Sequence, residues 1–339
     1  MTSATPSMMR AWQLAGPRRL EPHDVPAPRR TTTDQVLLHT VVGAVCGSDL
    51  PWFDGAVSTL FDDRGARAAE VPGYPLHEVV GEVLESDDPD LPVGAHAVGW
   101  ATGSDALAEL TLTHAASLLR VPADLDPHDA VVLQPLACVL DTMARLGDLA
   151  GRHVAVVGLG PFGLLFTHAA RVLGAGRVTG VDPIDRSDVA ARYGMDEAVH
   201  AHSGRWAARI ADVDRPDVVI EAVGHQTHTV AHAIEAAAPG ATIFLFGVPD
   251  EPVYPVPLQL AFRKGLTLRT GIVTERRPAL EQAVEHLRRH PDLAAGYFTH
   301  TFGFAEATEA FERASRSRPG QVKVRLLAED ALHAGGADG

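Results

Sequence analysis

HVAVVGLGPFGLLFTHAARVLGAGRVTGVD, residues 153 to 182, is the stretch whose reading decides the fold. It opens on a β-type apolar run, Val154 to Val157, and enters a glycine turn, Gly158-Leu159-Gly160-Pro161-Phe162-Gly163. An amphipathic run through Leu164, Leu165, Ala169, Ala170, Val172 and Leu173 stops at Gly174, and a second short strand, Val178 to Val181, ends in Asp182. A GxGxxG pattern by itself is weak. Between a strand and a helix, with an acid roughly 20 residues further on, it is the fingerprint of a dinucleotide-binding βαβ unit. Gly158 allows the tight turn, Gly160 lets the backbone approach a pyrophosphate, and Gly163 lets the helix pack closely on the sheet. Pro161 and Phe162 open the helix, whose N-terminus presents free N–H groups and a positive dipole end to the phosphates. Asp182 can accept both hydroxyls of an adenosine ribose and repels a 2′-phosphate, so NAD is expected over NADP.

The alternation of strand and helix continues beyond Asp182. Arg186 to Tyr193 reads as a helix and Ala208 to Ala211 as the end of another. Asp217 to Glu221 reads as a buried strand, Thr227 to Ala238 as a helix stopped by Pro239-Gly240, and Ala241 to Phe246 and Leu266 to Thr270 as strands. That order predicts a doubly wound parallel sheet.

The chain before it is β-rich. Met9 to Leu14, Gln35 to Val45, His77 to Leu84, Gly94 to Trp100 and Leu107 to Thr113 read as strands, and the Pro- and Arg-rich Glu21 to Thr33 as a surface loop. Asp54 to Pro72 reads as a polar loop. From Pro127 the apolar period turns helical. A helix at Pro278 to Arg289 and a late strand at Val322 to Leu327 close the chain. The fold class is therefore α/β in two domains: a discontinuous β-rich one over 1–134 and 272–339, and a nucleotide-binding one over 135–271. A length of 339 residues also exceeds the usual single-core limit.

Composition, 46% hydrophobic and 21% charged, is that of a soluble globular chain. A net charge of −14 argues against a nucleic-acid partner, which needs clustered Lys and Arg. No apolar run reaches the ~20 residues of a membrane span, and the first seven residues lack the apolar core of a secretory signal. Two cysteines, Cys46 and Cys138, cannot form a disulfide framework, so a cytoplasmic home is expected. The first eight residues and the Ala/Gly-rich stretch from Ala328 onward read as frayed ends.

Cys46, His77 and Glu78 are the chemically interesting set in the β-rich part. Thiolate, imidazole and carboxylate are the ligand types of a catalytic zinc, but their spacing alone does not distinguish a site from core filling. Local context does. The chain resembles the zinc-dependent medium-chain dehydrogenase/reductase family, closest to its sorbitol, threonine and polyol dehydrogenases. Gly43-Ala44-Val45-Cys46-Gly47-Ser48-Asp49 looks like the first zinc-ligand motif, and Pro75-Leu76-His77-Glu78-Val79-Val80-Gly81 like the GHExxG motif. Gln134-Pro135-Leu136-Ala137-Cys138 looks like the EPLA helix start, and Gly158 to Gly163 like the cofactor turn. Glu221-Ala222-Val223-Gly224, Phe246-Gly247-Val248-Pro249, Leu268-Arg269-Thr270-Gly271 and Gly320-Gln321-Val322-Lys323-Val324 match later segments in order.

The resemblance implies a GroES-like catalytic domain, a Rossmann domain and reversible hydride transfer between an alcohol and a carbonyl. It implies Cys46 and His77 as zinc ligands, Glu78 as a direct or water-mediated ligand, Asp49 as the group orienting His77, and Ser48 as the partner of the substrate oxygen. It implies nicotinamide contacts at Val223, Gly247, Val248, Thr270 and Gly271, a cofactor contact at Lys323, a small-molecule alcohol or carbonyl substrate, and a homodimer or homotetramer. There are departures. No cysteine lies between Trp100 and Leu107, where relatives hold a structural zinc, so one catalytic zinc per chain is expected. Leu76 replaces the glycine before the histidine, which is expected to tilt the ligand backbone. Gln134 replaces a carboxylate and cannot act as a base, and Pro51 and Asp141 stand where histidines often do.

The reading is an NAD-dependent zinc alcohol dehydrogenase acting on a secondary alcohol of a polyol, sugar or cyclitol. A zinc-free reductase of a double bond or ketone and a non-catalytic dinucleotide-binding regulator are the alternatives. Cys138 reads as a buried structural thiol, and His225, His228 and His232 as one solvent-facing helix face. Trp52 and Phe53 suit a pocket lining or the core equally.

Overall fold

The computed structural model describes residues 6–55 and 70–328. The expectations for the first residues, for most of the Asp54 to Pro72 loop and for the stretch after Ala328 lie outside these. By its contacts the chain divides into two compact units: 1–137 with 275–316 and 322–339, and 138–274 with 317–321.

In chain order the first unit begins with an antiparallel hairpin of β1 (Met8–Gly16) and β2 (Arg19–Pro26). β3 (Gln35–Ala44) leads through a 3-10 turn, Gly47–Asp49, into α1 (Leu50–Phe53). β4 (Glu78–Glu85), β5 (His96–Trp100), β6 (Leu110–His114), β7 (Leu118–Arg120) and α2 (Pro127–Ala130) follow. α3 (Leu133–Leu146) carries the chain from one unit into the other. The second unit holds β8 (His153–Val157), α4 (Pro161–Val172), β9 (Arg177–Asp182), β10 (Glu197–His200) and α5 (Ser203–Ala207). β11 (Val218–Glu221), α6 (Thr229–Ala236), β12 (Thr242–Leu245), α7 (Leu258–Lys264) and β13 (Thr267–Thr270) complete it. The chain then returns to the first unit with α8 (Arg276–Arg289), β14 (Phe298–Gly303), α9 (Ala307–Ala314) and β15 (Lys323–Leu327).

The second unit is a six-stranded, all-parallel sheet in the order β10-β9-β8-β11-β12-β13. That is the Rossmann order, with its switch point between β8 and β11. Strands buried on both faces account for its continuous apolar runs: Val154 to Val156 and Val218 to Ile220 have no exposed surface. The first unit is built on the sheet β14-β15-β3-β4-β5-β7, with β6 also pairing β3. Its core gathers Trp12, Phe53, Leu76, Phe304 and Phe311. It is the β-rich, GroES-like partner of the Rossmann unit.

Several local expectations need correction. Glu21 to Thr33 is not loop throughout: Arg19–Pro26 is β2, and its prolines are tolerated because the strand is an edge paired only with β1. Arg186 to Tyr193 is a run of turns, not a helix. Asp182 and Asp185 there accept the N–H groups of Ile184 and Ser187, the local competition that keeps short acids out of helices. The helix assigned near Ala208 is α5, ending at Ala207. Sequence reasoning missed β10, α7, β14 and α9. α7 escapes because Leu258 and Phe262 point outward, so its apolar pattern shows no inward face; Gly265 ends it at φ 63°.

Candidate active site

The metal-ligand candidates converge through strand register. β3 lies between β4 and β15, and its last residue, Ala44, pairs with Glu78 on one side and Arg325 on the other. That pairing sets Cys46, two residues past β3, beside His77 and Glu78 at the start of β4. The thiol, a ring nitrogen and a carboxylate oxygen of these three lie within 4.8 Å of one another. Leu76 is accommodated because Gly43 has no side chain: a Cβ there would stand 2.4 Å from Leu76 Cδ2. The backbone on both sides of Leu76 is held by Ser104 O and Ala106 N–H.

Asp49, buried in the 3-10 turn, fastens two ligand candidates at once. One carboxylate oxygen accepts the Cys46 N–H at 2.8 Å, and the other meets His77 Nδ1 at 2.8 Å. Nδ1 so occupied leaves Nε2, on the side of Cys46, as the ring nitrogen that could ligate a metal, the arrangement that orients a ligating histidine. Burial disfavours the imidazolium, yet the Asp49 carboxylate and the neighbouring Cys46 outweigh it and hold the His77 pKa well above the ordinary range. Ser48 is half-buried in the same turn.

Glu78 is fully buried, and Lys323 Nζ, also buried, donates to its Oε1 at 2.6 Å. Burial lowers the lysine's pKa, but Glu78, then Cys46 and Asp49, raise it further, so the ammonium is retained. Glu78 Oε2 is buried with no hydrogen-bond partner among the described residues. A buried carboxylate oxygen without a donor is costly, and a cation supplies what the protein does not. Thiolate, imidazole and this oxygen suit zinc, three protein ligands leaving one position open. Gln134 is buried in the first turn of α3.

The cofactor candidates of the second unit lie at the carboxyl ends of its strands, the edge where open α/β sheets take ligands. Gly158 follows β8 at φ 92°, and a Cβ there would press on Val223 after β11. A Cβ at Gly163 would lie 1.8 Å from Gly158 O, so the turn and α4 touch backbone to backbone. A Cβ at Gly160, the N-cap of α4, would meet no protein atom within 4 Å, which leaves the approach to the helix N-terminus open. Pro161 and Phe162 form the first helical positions. Asp182 ends β9, and its two oxygens accept the N–H groups of Leu159 and Ile184, each at 2.7 Å. Gly247 and Val248 follow β12 against Gly224, and Thr270 and Gly271 end β13. These residues fit a dinucleotide lying on the glycine turn.

Three features escaped the sequence. Lys323 was expected among the cofactor contacts; the structure buries its ammonium on Glu78 in the first unit. Glu221, quoted only as a strand end, braces the turn after β11 by accepting the N–H groups of Val223 and Gly224, and burial raises its pKa. A carboxylate closing a wholly apolar strand was the signal. The three histidines share no helix face. His225 sits in a turn at φ 53° with Asp250 on its Nδ1, while His232 meets Ser203 Oγ at 2.9 Å. Cys138 is half-buried, not buried. Phe53 belongs to the core against Phe311, and Trp52 stacks edge-on to Tyr74.

A Rossmann unit with an open phosphate turn, and a β-rich unit gathering thiol, imidazole and carboxylate, define the class of two-domain nicotinamide-dependent dehydrogenases. Residues 161–289 match the family model described as zinc-binding dehydrogenase. A probable zinc-binding alcohol dehydrogenase of Mycobacterium tuberculosis is 28% identical, over 97% of this chain and 91% of its own. A putative D-xylulose reductase of Rhizobium meliloti is 26% identical, over 94% and 99%. The crystal structure of an alcohol dehydrogenase from Thermus sp. ATN1 superposes with a TM-score of 0.77 at 26% identity, covering 95% of this chain and 100% of that one. Over nearly its whole length the chain is thus similar to zinc-binding dehydrogenases.

Proposed function

We propose that this protein is an NAD-dependent, zinc-containing alcohol dehydrogenase that oxidises a secondary alcohol of a polyol or sugar, reversibly. It is an oxidoreductase acting on CH–OH groups. The observation that carries the reading is Asp49, which binds the Cys46 backbone and the His77 ring together while Glu78 offers an unpartnered oxygen beside them. The polyol class is supported by the likeness to the D-xylulose reductase. The zinc-free and non-catalytic alternatives draw no support from the relatives.

Cys46, His77 and Glu78 would hold the zinc and Gly158 to Gly163 the NAD, which when bound would supply a Lewis acid for the alcohol oxygen and an acceptor for the hydride. Ser48 accepts the hydroxyl proton and passes it on towards a ribose hydroxyl or water. Gln134 orients water without taking a proton. Asp49 keeps His77 in the tautomer that presents Nε2. Asp182 selects the unphosphorylated ribose, and Val223, Gly247, Val248, Thr270 and Gly271 border the nicotinamide. One zinc per chain follows from the missing cysteine loop. The test is metal content beside turnover: Cys46→Ser loses zinc and activity together, whereas Cys138→Ser keeps both within a few-fold. Full activity in Cys46→Ser without metal would exclude the zinc mechanism.

We also propose a homo-oligomer in the cytoplasm. Among the described residues β13 pairs only β12, and its four residues are exposed. Leu258, Phe262, Leu268 and Ile272 are exposed around it, Phe262 at 83%. An unprotected apolar edge of this kind needs cover. Among the described residues no helix is long and apolar enough to cross a membrane.

A further inference from the structure

We propose that the face of the parallel sheet beneath α5 carries a second binding site, one that takes a small carboxylate with an aromatic or other apolar body, separate from the dehydrogenase chemistry. His153, Arg177 and Glu197 are the first residues of β8, β9 and β10, so the site begins at the amino ends of the strands, the edge opposite the glycine turn. With α5 and the residues after it they line a cavity of about 490 Å³, within the roughly 300–1,000 Å³ of small-molecule sites. The cavity follows from the shortness of its helix. The five residues of α5 span about 7.5 Å, and the six of β9 about 20 Å. Trp206 and Ala207 share a core with Val157 and Val181 near the carboxyl ends, which leaves the amino-end half of the strands to the cavity.

A doubly wound sheet is ordinarily apolar on both faces, yet this half is polar. Alternation puts Arg177, Thr179 and Val181 on one face, and register sets His153 beside Arg177 and Glu197 beside Thr179. His153 Nε2 meets Thr179 Oγ1 at 2.9 Å, and burial, then Arg177, lowers the ring's pKa, so it enters as a neutral hydrogen-bonding group. Arg177 is already engaged. It donates to Glu197 at 2.8 Å and to Asp214 at 3.0 Å, which neutralises both acids of the lining. Two cations remain. Arg205 and Arg209, both exposed at the rim, form no ion pair among the described residues. They stand four residues apart on one continuous turn, the Arg209 N–H bonded to Trp206 O at 3.0 Å, and like charges at that spacing oppose one another. An anion between them relieves the opposition, and the guanidinium fork matches a carboxylate. Three arginines against two acids leave the lining cationic in a chain whose net charge is −14, an excess that suits a monoanion better than a phosphate dianion. Val199, Trp206 and Ile210 supply the wall for the apolar body.

The experiment is a calorimetric titration of the purified protein, with and without saturating NADH, using 3-phenylpropionate, its neutral amide and phenyl phosphate. One 3-phenylpropionate should bind per chain with a Kd on the order of 1 mM, ordinary for a ligand of this size, and NADH should not abolish it. The amide should bind roughly 10–100-fold more weakly, the worth of a hydrogen bond to a charged group, and phenyl phosphate no more tightly than the carboxylate. Replacing both rim cations, Arg205→Gln with Arg209→Gln, should weaken the carboxylate by a similar factor and leave alcohol turnover at the wild-type level. Of the four tryptophans, Trp206 should report the ligand: the carboxylate should change the emission of the cofactor-free wild type and leave that of Trp206→Phe unchanged. Absence of saturable binding, equal binding of acid and amide, or undiminished binding by the doubly substituted protein would overturn the proposal. Loss of binding in the presence of NADH would overturn it as well, by placing the anion at the cofactor edge.

Discussion

Asp49 shows how much one side chain can organise. Its carboxylate fixes the start of a turn and the ring of a histidine 28 positions away, so the distance between thiol and imidazole is set before any metal arrives. Ser48 sits between them in sequence and is the proposed proton acceptor, because Gln134 is neutral and Pro51 carries no imidazole. Ser48→Ala should therefore lower turnover by roughly 10²–10⁴-fold, the usual worth of a positioned proton-transfer group, with zinc content unchanged; near-full turnover in the alcohol-oxidising direction would move the relay elsewhere. At this scale the sequence was informative where a residue type had a local frame. Cys46 and His77 stood out by their neighbours. Lys323 did not, because its partner lies 245 positions away and only the packing of β15 beside β3 joins them.

At the scale of elements, the second unit follows from where its strands end. Gly158, Asp182, Val223, Gly247 and Gly271 come from five strands, yet all stand on the same sheet edge because every strand is parallel. Asp182 closes β9 with both oxygens already turned to backbone N–H groups of the glycine turn and its own loop, which fixes the carboxylate beside that turn. NAD should be preferred over NADP by at least tenfold, about 1.4 kcal/mol. Asp182→Ala should narrow the gap, as measured by kcat/KM for each cofactor, and equal use of both by the unaltered protein would show another group overriding it. The periodic elements, β8, α4, β9 and β11, were legible because burial imposes their pattern. Arg186 to Tyr193 was not, since backbone N–H groups donating to Asp182 and Asp185 decide how that segment starts, and periodicity does not record them. β2 was hidden by its prolines, which an edge strand tolerates.

On the scale of the whole molecule, two units with separate cores divide the candidate chemistry, one gathering the metal-ligand candidates and the other the glycine turn. Their order along the chain, β-rich, parallel, β-rich again, was visible from the shift in period alone. What covers β13 was not, because an exposed apolar edge looks like buried strand in sequence. Sedimentation should give a dimer or tetramer, and Phe262→Asp should shift it towards monomer; a monomer at all concentrations in the unaltered protein would exclude the oligomer. The central claim is that zinc and NAD act together on an alcohol. It is tested most directly by following NADH formation from a panel of polyols and sugars with protein as purified, stripped by a chelator, and reloaded with one equivalent of zinc. The account predicts oxidation of at least one secondary alcohol, lost on stripping and restored by zinc; undiminished NADH formation by the stripped protein would contradict it.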